Sequence, residues 1–384
     1  MEPIEAEVYN YPIKKQNSKT QFTTFTEQHK FKKNKDFYKA SFFIFFMYSN
    51  RLIFKTSIDD KVFYLKDTVL VTFKHNRNGI SSSQLNGGTC DLYKSVFNQH
   101  LSQDRIDYLE NHDVCDYLIN ECKLMDIDSN FSTGLITLAE MNNLSIVSKK
   151  YKNVEVTAIS TAGVRTNSSK AGDPASYWQE NGEFHFGTIN TILLTNVNLS
   201  KSTLVEAFMC ATEAKTVAMN NLKIPSQYSN GYATGTGTDG LCIFSNTDSD
   251  DVITNAGKHS KMGELIAKAV IESVTKAIGK QVWITNKSQA NVLVRLNRYS
   301  LDINDFYNDL DYDKFQFISK LQKDMKKPEN VAIATSVLNL FDEVDCGLIN
   351  KKEAFGLAKK IVDENCNSYP IKELLNYWIN YFIR

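Results

Sequence analysis

Apolar and polar positions alternate in short blocks over the first half of the chain and lengthen into helical stripes over the second. Leu52–Lys55, Val62–Leu65 and Val69–Phe73 are rich in β-branched and aromatic residues and predict strands. A turn-rich segment follows, with Asn78-Gly79, Ser81-Ser82-Ser83 and Asn86-Gly87-Gly88-Thr89. The spacing then predicts two helices, over 91–100 and 103–125, and buried strands at Val154–Thr161 and Thr188–Thr195. Ser200 or Ser202 caps a helix that runs to about Leu222 and is stopped by Pro225. Tyr232–Gly240 is a Gly/Thr loop and Leu241–Phe244 a short strand. Met262, Leu265, Ile266, Ala269, Val270, Ser273 and Ala277 form the core stripe of a helix over Ser260–Ile278, with Gly279 as its stop.

Beyond Gly279 the text reads as four or five helices in a row, among them Asn304–Lys326, Asn330–Phe341, Lys351–Glu364 and Ile371–Phe382, the last opened by Pro370. The expected fold is α+β: a mixed sheet packed with helices over residues 47–280, then a small all-α domain over 281–384. Residues 1–46 are polar, basic and aromatic-rich without periodicity, and Met47 stands where the strand-like text starts. The first 46 residues are therefore expected to be a loose extension.

Charge removes several classes of function. The 384 residues carry 44 Lys+Arg against 44 Asp+Glu, so the basic signature of a nucleic-acid binder is missing. The most apolar run, Ala40–Tyr48, is far shorter than the roughly 20 residues that span a bilayer. A basic stretch from Lys30 to Lys39 precedes it, but too deep in the chain for a signal peptide and with no small-residue cleavage site after it. The seven cysteines are scattered and form no C-x-x-C pair, which reads as reduced thiols in a cytoplasmic protein.

Polar small-residue loops cluster between 160 and 264. Ser160-Thr161-Ala162-Gly163 leads from a strand end to Arg165, Asn167 and Asp173. Gly187-Thr188-Ile189-Asn190 places an Asn inside a buried strand, where its amide must find partners or face a ligand. In the next helix Leu204, Phe208, Ala211, Ala218 and Leu222 share one stripe, with Lys215 in its middle and Glu213 on the opposite face. A lysine there either snorkels or meets a carboxylate, for which Asp173 and Asp239 are candidates. Gly235, Gly237 and Gly240 match G-x-G-x-x-G, but a strand and not a helix follows, so a dinucleotide site is rejected. What remains is a glycine-freed backbone presenting Thr234, Thr236, Thr238 and Asp239. Finally, Ser260 as N-cap puts His259 beside free N–H groups at the positive end of a helix, which suits a neutral base. Glu264 lies in that helix's first turn.

Metal-ligand spacing is weak: His185, Asp239, His259 and Glu264 would converge on a metal only through the fold. Residues 342–353 partly match an EF-hand loop, but Val344 and Cys346 stand where oxygen ligands are needed, so a helix–turn–helix without calcium is expected.

In combination these segments resemble the adenosylcobinamide amidohydrolase family. The resemblance rests on the order Ser160-Thr161-Ala162-Gly163, Gly187-Thr188-Ile189-Asn190, Thr212-Glu213-Ala214-Lys215, Thr234-Gly235-Thr236-Gly237-Thr238-Asp239 and Gly257-Lys258-His259-Ser260-Lys261-Met262-Gly263-Glu264. The early Ser81-Ser82 and Asn86-Gly87-Gly88 fit it too. It covers about residues 48–280. One departure is Ser168, where a small apolar residue is expected.

The resemblance implies hydrolysis of the amide joining the corrin ring's propionyl arm to aminopropanol, giving adenosylcobyric acid for corrinoid salvage. It makes the corrinoid the substrate, with no cofactor; the cobalamin-binding pattern D-x-H-x-x-G is indeed absent around His259. For the mechanism, His259 oriented by Asp239 is the expected general base, acting on a water or a Thr hydroxyl of the 234–238 loop. Lys215, Asn190 and loop N–H groups are expected to stabilise the oxyanion. Asp173, Glu213 and Glu264 are reserve bases, and a metal-bound hydroxide at Asp239, His259 and Glu264 is the variant. Asn167, Asp173, Asn190, Thr234, Thr236, Thr238, Glu264, Ser82, Gly87 and Gly88 are the expected substrate contacts. The competing functions are corrinoid or tetrapyrrole binding without chemistry and a general peptidase.

Overall fold

The computed structural model describes residues 50–175, 188–299, 303–308 and 314–383. Residues 1–46, Met47, His185 and Gly187 lie outside them. Thirteen described strands occur, in chain order β1 (Asn50–Lys55), β2 (Lys61–Leu65), β3 (Thr68–Ser81), β4 (Gly88–His100), β5 (Ser132–Thr137), β6 (Ser145–Tyr151), β7 (Val154–Ala162), β8 (Ser168–Ser169), β9 (Ile189–Thr195), β10 (Asn198–Leu199), β11 (Gly235–Thr236), β12 (Gly240–Asn246) and β13 (Val252–Ile253). The helices that matter for the site are α1 (Gln103–Leu109), α2 (Val114–Leu124), α3 (Lys201–Asn221) and α4 (Lys261–Val282). The tail adds α5 (Asn286–Gln289), α6 (Val292–Leu296), α7 (Ile303–Asn308), α8 (Lys314–Asp324), α9 (Pro328–Asp345), α10 (Lys351–Asn365) and α11 (Tyr369–Ile383). The fold is α+β, as expected.

Among the described residues nine strands make one mixed sheet in the order β1-β2-β3-β12-β9-β7-β6, with β4 on the other flank of β3 and β5 paired to β4. β12 runs antiparallel to β3 and parallel to β9, and β7 antiparallel to β9. The sheet curls until β4 and β5 face β9: Asn190 on β9 donates to the Asn98 Oδ1 of β4 at 2.8 Å and to the Ile136 carbonyl of β5 at 2.9 Å. β9 is therefore buried on both faces, and Ile192-Leu193-Leu194 at its centre is apolar on both. Ile192 and Leu194 fill the inside of the curl with Tyr93, Val96 and Phe244. Ile189 and Leu193 face α3 and α4 across a second core. The tail has a core of its own, built around Trp378, Phe341 and Leu338.

Both long helices begin as the sequence predicts. The Ser200 hydroxyl accepts from Thr203 N at 3.2 Å, and the Ser260 hydroxyl from Gly263 N at 3.0 Å. Gly263 has no room for a side chain, since a Cβ there would lie 2.2 Å from the Gly257 carbonyl oxygen.

Three expectations need correction. Residues 91–100 are strand, not helix: Leu92-Tyr93 and Val96-Phe97 mimic a helical spacing, but β4 is held on both edges by β3 and β5. The helix over 103–125 is two helices, because the Asp113 carboxylate accepts from Cys115 N at 2.8 Å and starts a new one. Gly279 does not stop α4; the helix runs to Val282 and ends on Trp283 in the left-handed conformation at φ 60°. Of the expected helix Asn304–Lys326, residues 309–313 lie outside the described residues, and α7 and α8 are described on either side.

Candidate active site

Lys215 is the residue on which the site is built. It projects from the inner stripe of α3 and pairs with the Asp239 carboxylate, which stands at the entrance to β12. Asp239 was one of the two partners the stripe allowed; Asp173 is not used. Asp239 collects four donors. Oδ1 accepts the Thr236 hydroxyl at 2.5 Å and Ile189 N at 3.1 Å, while Thr236 N reaches both oxygens at 3.1 Å. Lys215 takes Oδ2. Gly235 is required by this arrangement, since a Cβ there would lie 2.2 Å from Asp239 Oδ2 and 2.6 Å from Lys215 Nζ. The side chains of Lys215 and Asp239 are 19% and 15% exposed, so the pair is sheltered yet reachable from solvent.

Hydroxyls and amides surround the pair. Thr188 and Thr238 share a hydrogen bond at 2.6 Å. β8 and β11 pair, which brings Asn167 beside the Gly/Thr loop: Gly237 N donates to its carbonyl at 3.2 Å. The Tyr228 hydroxyl donates to Asn167 Oδ1 at 3.1 Å. Thr234 accepts Ala171 N at 2.9 Å, and Asp173 accepts Lys170 N at 2.7 Å and the Ser226 hydroxyl at 2.5 Å. Burial would raise the Asp173 carboxyl, but the hydrogen bonds from Ser226, Ser229 and Lys170 outweigh it and hold the group below its ordinary value. The expected outlier Ser168 fits without strain, its hydroxyl donating to the Pro225 carbonyl at 2.8 Å.

The early turn closes the other side. Ser82 accepts Leu241 N at 2.9 Å, one residue past the start of β12, and returns its own N–H to the Leu241 carbonyl at 3.0 Å. Gly87 lies exposed in the turn before β4, and Gly88, also exposed, opens the strand at φ 76°. Asn190 is committed to the inside of the curl through Asn98 and Ile136.

His259 is not brought to Asp239. Ser273 on α4 touches Ser160 on β7 at 2.8 Å, Ser160 touches Thr191 on β9 at 3.0 Å, and Thr191 pairs with Leu241. That row marks the Asp239 end of the sheet. At about 1.5 Å of rise per residue, the start of α4 lies roughly 20 Å back along the helix from Ser273. His259, exposed just ahead of that start, stands near the opposite end, where Lys261 lies over the Tyr151 ring at 4.8 Å. Glu264 lies there too, whereas Glu213 stands two residues before Lys215 on α3 with its side chain turned to the surface. Glu213 is paired to Lys258 at 2.6 Å on the surface, and Glu264 to Lys261 and, at 2.6 Å, to Lys268. Asp239 takes its hydrogen bonds from Lys215, Thr236 and Ile189, so the expected orientation of His259 by Asp239 is not made here. Among the described residues no three His, Cys, Asp or Glu side chains converge as a metal set.

Sequence reasoning did not single out Thr188, Ser226, Tyr228 or Asn98 as site residues. The first lay inside a quoted motif and Ser226-Gln227-Tyr228 directly follows Pro225, but their partners are distant in sequence. Asn98 had only one signal, a polar Asn-Gln pair directly after Val96-Phe97.

The curled α+β domain thus gathers one sheltered ion pair, four threonines and a glycine-opened backbone at one sheet end. A family model described as adenosylcobinamide amidohydrolase matches residues 53–286, and the chain belongs to that family. It is 32% identical over 230 residues to an uncharacterized protein of Methanocaldococcus jannaschii, covering 56% of this chain and 86% of the relative. It is 29% identical over 221 residues to an adenosylcobinamide amidohydrolase of Methanosarcina mazei, covering 55% and 94%. A crystal structure of a Pyrococcus horikoshii OT3 protein aligns at 13% identity and TM-score 0.29, over 60% of this chain and 83% of that one. No described helix is long and apolar enough to cross a membrane.

Proposed function

We propose that the protein hydrolyses the amide between the corrin ring's propionyl arm and the aminopropanol of adenosylcobinamide, giving adenosylcobyric acid, with the corrinoid as substrate and the reaction serving corrinoid salvage in the cytoplasm. The observation that carries this reading is the Lys215–Asp239–Thr236 cluster inside the family-matched span. Amide cleavage needs a nucleophile next to a base, a group that orients the base, and positive charge or donors for the oxyanion. The Thr236 hydroxyl on Asp239 Oδ1, with Lys215 holding Oδ2, has that order. Thr236, or a water in its place, is the nucleophile in this reading. Asp239 takes its proton and returns it to the aminopropanol nitrogen as the C–N bond breaks, and Lys215 offers charge to the oxyanion; where Thr236 attacks, a water then hydrolyses the ester to release the acid. Asn167, Asp173, Thr234 and Thr238, with Ser82, Gly87 and Gly88 across from them, form the rim for the corrinoid side chains. His259, Glu213 and Glu264 are assigned no step.

The test is incubation of purified protein with adenosylcobinamide followed by chromatography. Adenosylcobyric acid and free aminopropanol support the proposal. An unchanged corrinoid that stays tightly bound would make the protein a carrier, and cleavage of simple amides at a similar rate would make it a general amidase.

A further inference from the structure

The tail lies almost wholly outside the family-matched span, yet it reaches the rim of the site. The rim segment Pro225–Tyr232 is a hairpin-like excursion: Pro225 bridges Tyr232, Ser226 N donates to the Gly231 carbonyl at 2.9 Å, and Ala233 N to the Ile224 carbonyl at 2.8 Å. It carries Ser226, next to its base, which holds Asp173, and Tyr228, nearer its tip, which holds Asn167. At its base the Tyr232 ring meets the Arg298 guanidinium at 4.2 Å, within cation–π range. Arg298 comes from the tail and is 6% exposed. It is fixed from behind by Asp342 of α9 at 2.6 Å and by the Tyr299 hydroxyl at 3.1 Å. A second tie lies beside it, where the amide of Gln289 on α5 donates to the Leu222 carbonyl at the end of α3. Lys170, whose stem packs against Gly231, and Arg298 both act on the charge of Asp345.

We infer that Arg298 is a positioning residue: through Tyr232 it clamps the 225–232 segment, so that Tyr228–Asn167 and Ser226–Asp173 are held ready for the corrinoid, and the helical tail thereby sets substrate affinity and not the chemical step. A planar guanidinium buried against a ring, with its carboxylate behind it, holds that ring in one place. Among the described residues no hydrogen bond or ion pair joins the tail to Lys215, Asp239 or Thr236, so the clamp acts on the rim. This inference rests on the proposed function for its substrate and on the geometry for its mechanism.

The experiment uses the full chain in four forms: native, Arg298→Met, Tyr232→Leu and Tyr232→Phe. Amide hydrogen exchange over residues 225–232 and steady-state kinetics with adenosylcobinamide are measured on each. Arg298→Met and Tyr232→Leu should both speed exchange in that segment. Each should raise KM by roughly tenfold, the scale of a desolvated cation–π contact, with kcat within about twofold. Tyr232→Phe keeps the ring and should restore both readouts to near native, which a loss of general stability would not allow. Combining Arg298→Met with Tyr232→Leu should add little to either single change. If Arg298→Met does not fold, Tyr232→Leu carries the same test from the other side of the contact. Unchanged exchange in a folded Arg298→Met or Tyr232→Leu protein overturns the clamp, and so does faster exchange with unchanged KM, or a loss confined to kcat. If the native protein turns over no adenosylcobinamide, the proposed function falls, while the exchange data still decide whether Arg298 orders the segment.

Discussion

Lys215 and Asp239, 24 residues apart, form an ion pair that ties the middle of α3 to the entrance of β12, and the backbone of Gly235 passes close enough to leave no space for a side chain. Lys215→Met keeps similar volume in the α3 stripe and removes the charge. The protein should stay folded and lose activity by about 10²–10³-fold in kcat, the scale of one oxyanion donor. Asp239→Asn should cost at least as much, and the double substitution little more than the worse single, because the two act as a unit. Strictly multiplicative losses would separate them.

Gly235→Ala tests the same pair without touching either charge. The added methyl has to displace Asp239 or Lys215. Turnover should fall to the level of Lys215→Met, while the circular dichroism spectrum stays native. Native kinetics in this variant would show that the close approach is not needed.

His259→Ala should change kcat and KM by no more than about twofold, because His259 is placed away from the pair. Steady-state kinetics decide; a loss in the range of general acid–base catalysis, about 10²-fold or more, would require His259 to reach the substrate from elsewhere.

Glu264 provides a pH marker unrelated to catalysis. Its ion pairs with Lys261 and then Lys268 hold its carboxyl at about 2. A depressed carboxyl stabilises the fold fully above its unfolded value, and this contribution is lost as pH falls from about 4.5 through about 2. A carboxyl-carbon NMR titration should place its midpoint near the lower figure, and Glu264→Gln should leave turnover unchanged.

The strand bundle has one expensive point. Arg77 and Asp60 are an ion pair with both side chains wholly buried, and Arg77 also donates to the Thr195 carbonyl. Burial pulls the Arg77 guanidinium below its ordinary value, and Asp60 opposes that. Asp60→Ala leaves an uncompensated buried charge and should cost about 3–5 kcal/mol in urea unfolding.

Where local pattern and burial agree, the sequence was readable. α3 and α4 start on the serines their caps predict, and β9 shows its two-sided burial in the adjacent apolar residues Ile192-Leu193-Leu194. Lys215 stood out because a lysine in an apolar stripe needs a partner, and Asp239 was among those named. Reading failed where tertiary pairing overrides spacing, as in β4, whose Leu92-Tyr93 and Val96-Phe97 fit a helix until β3 and β5 take its edges. The His259–Asp239 pairing failed for a related reason. Both residues sit at element boundaries, but the sequence does not say which end of the sheet each boundary occupies. Tyr228, Ser226 and Arg298 were invisible because their roles come from contacts between segments far apart in the chain.

The most direct measurement is the release of aminopropanol from adenosylcobinamide, followed by mass spectrometry with native and Lys215→Met proteins side by side. The account predicts stoichiometric aminopropanol and adenosylcobyric acid from the native protein, and release slowed by about 10²-fold or more in the variant while corrinoid binding persists. Equal release by both proteins, or none by the native protein under conditions where it binds the corrinoid, would contradict it.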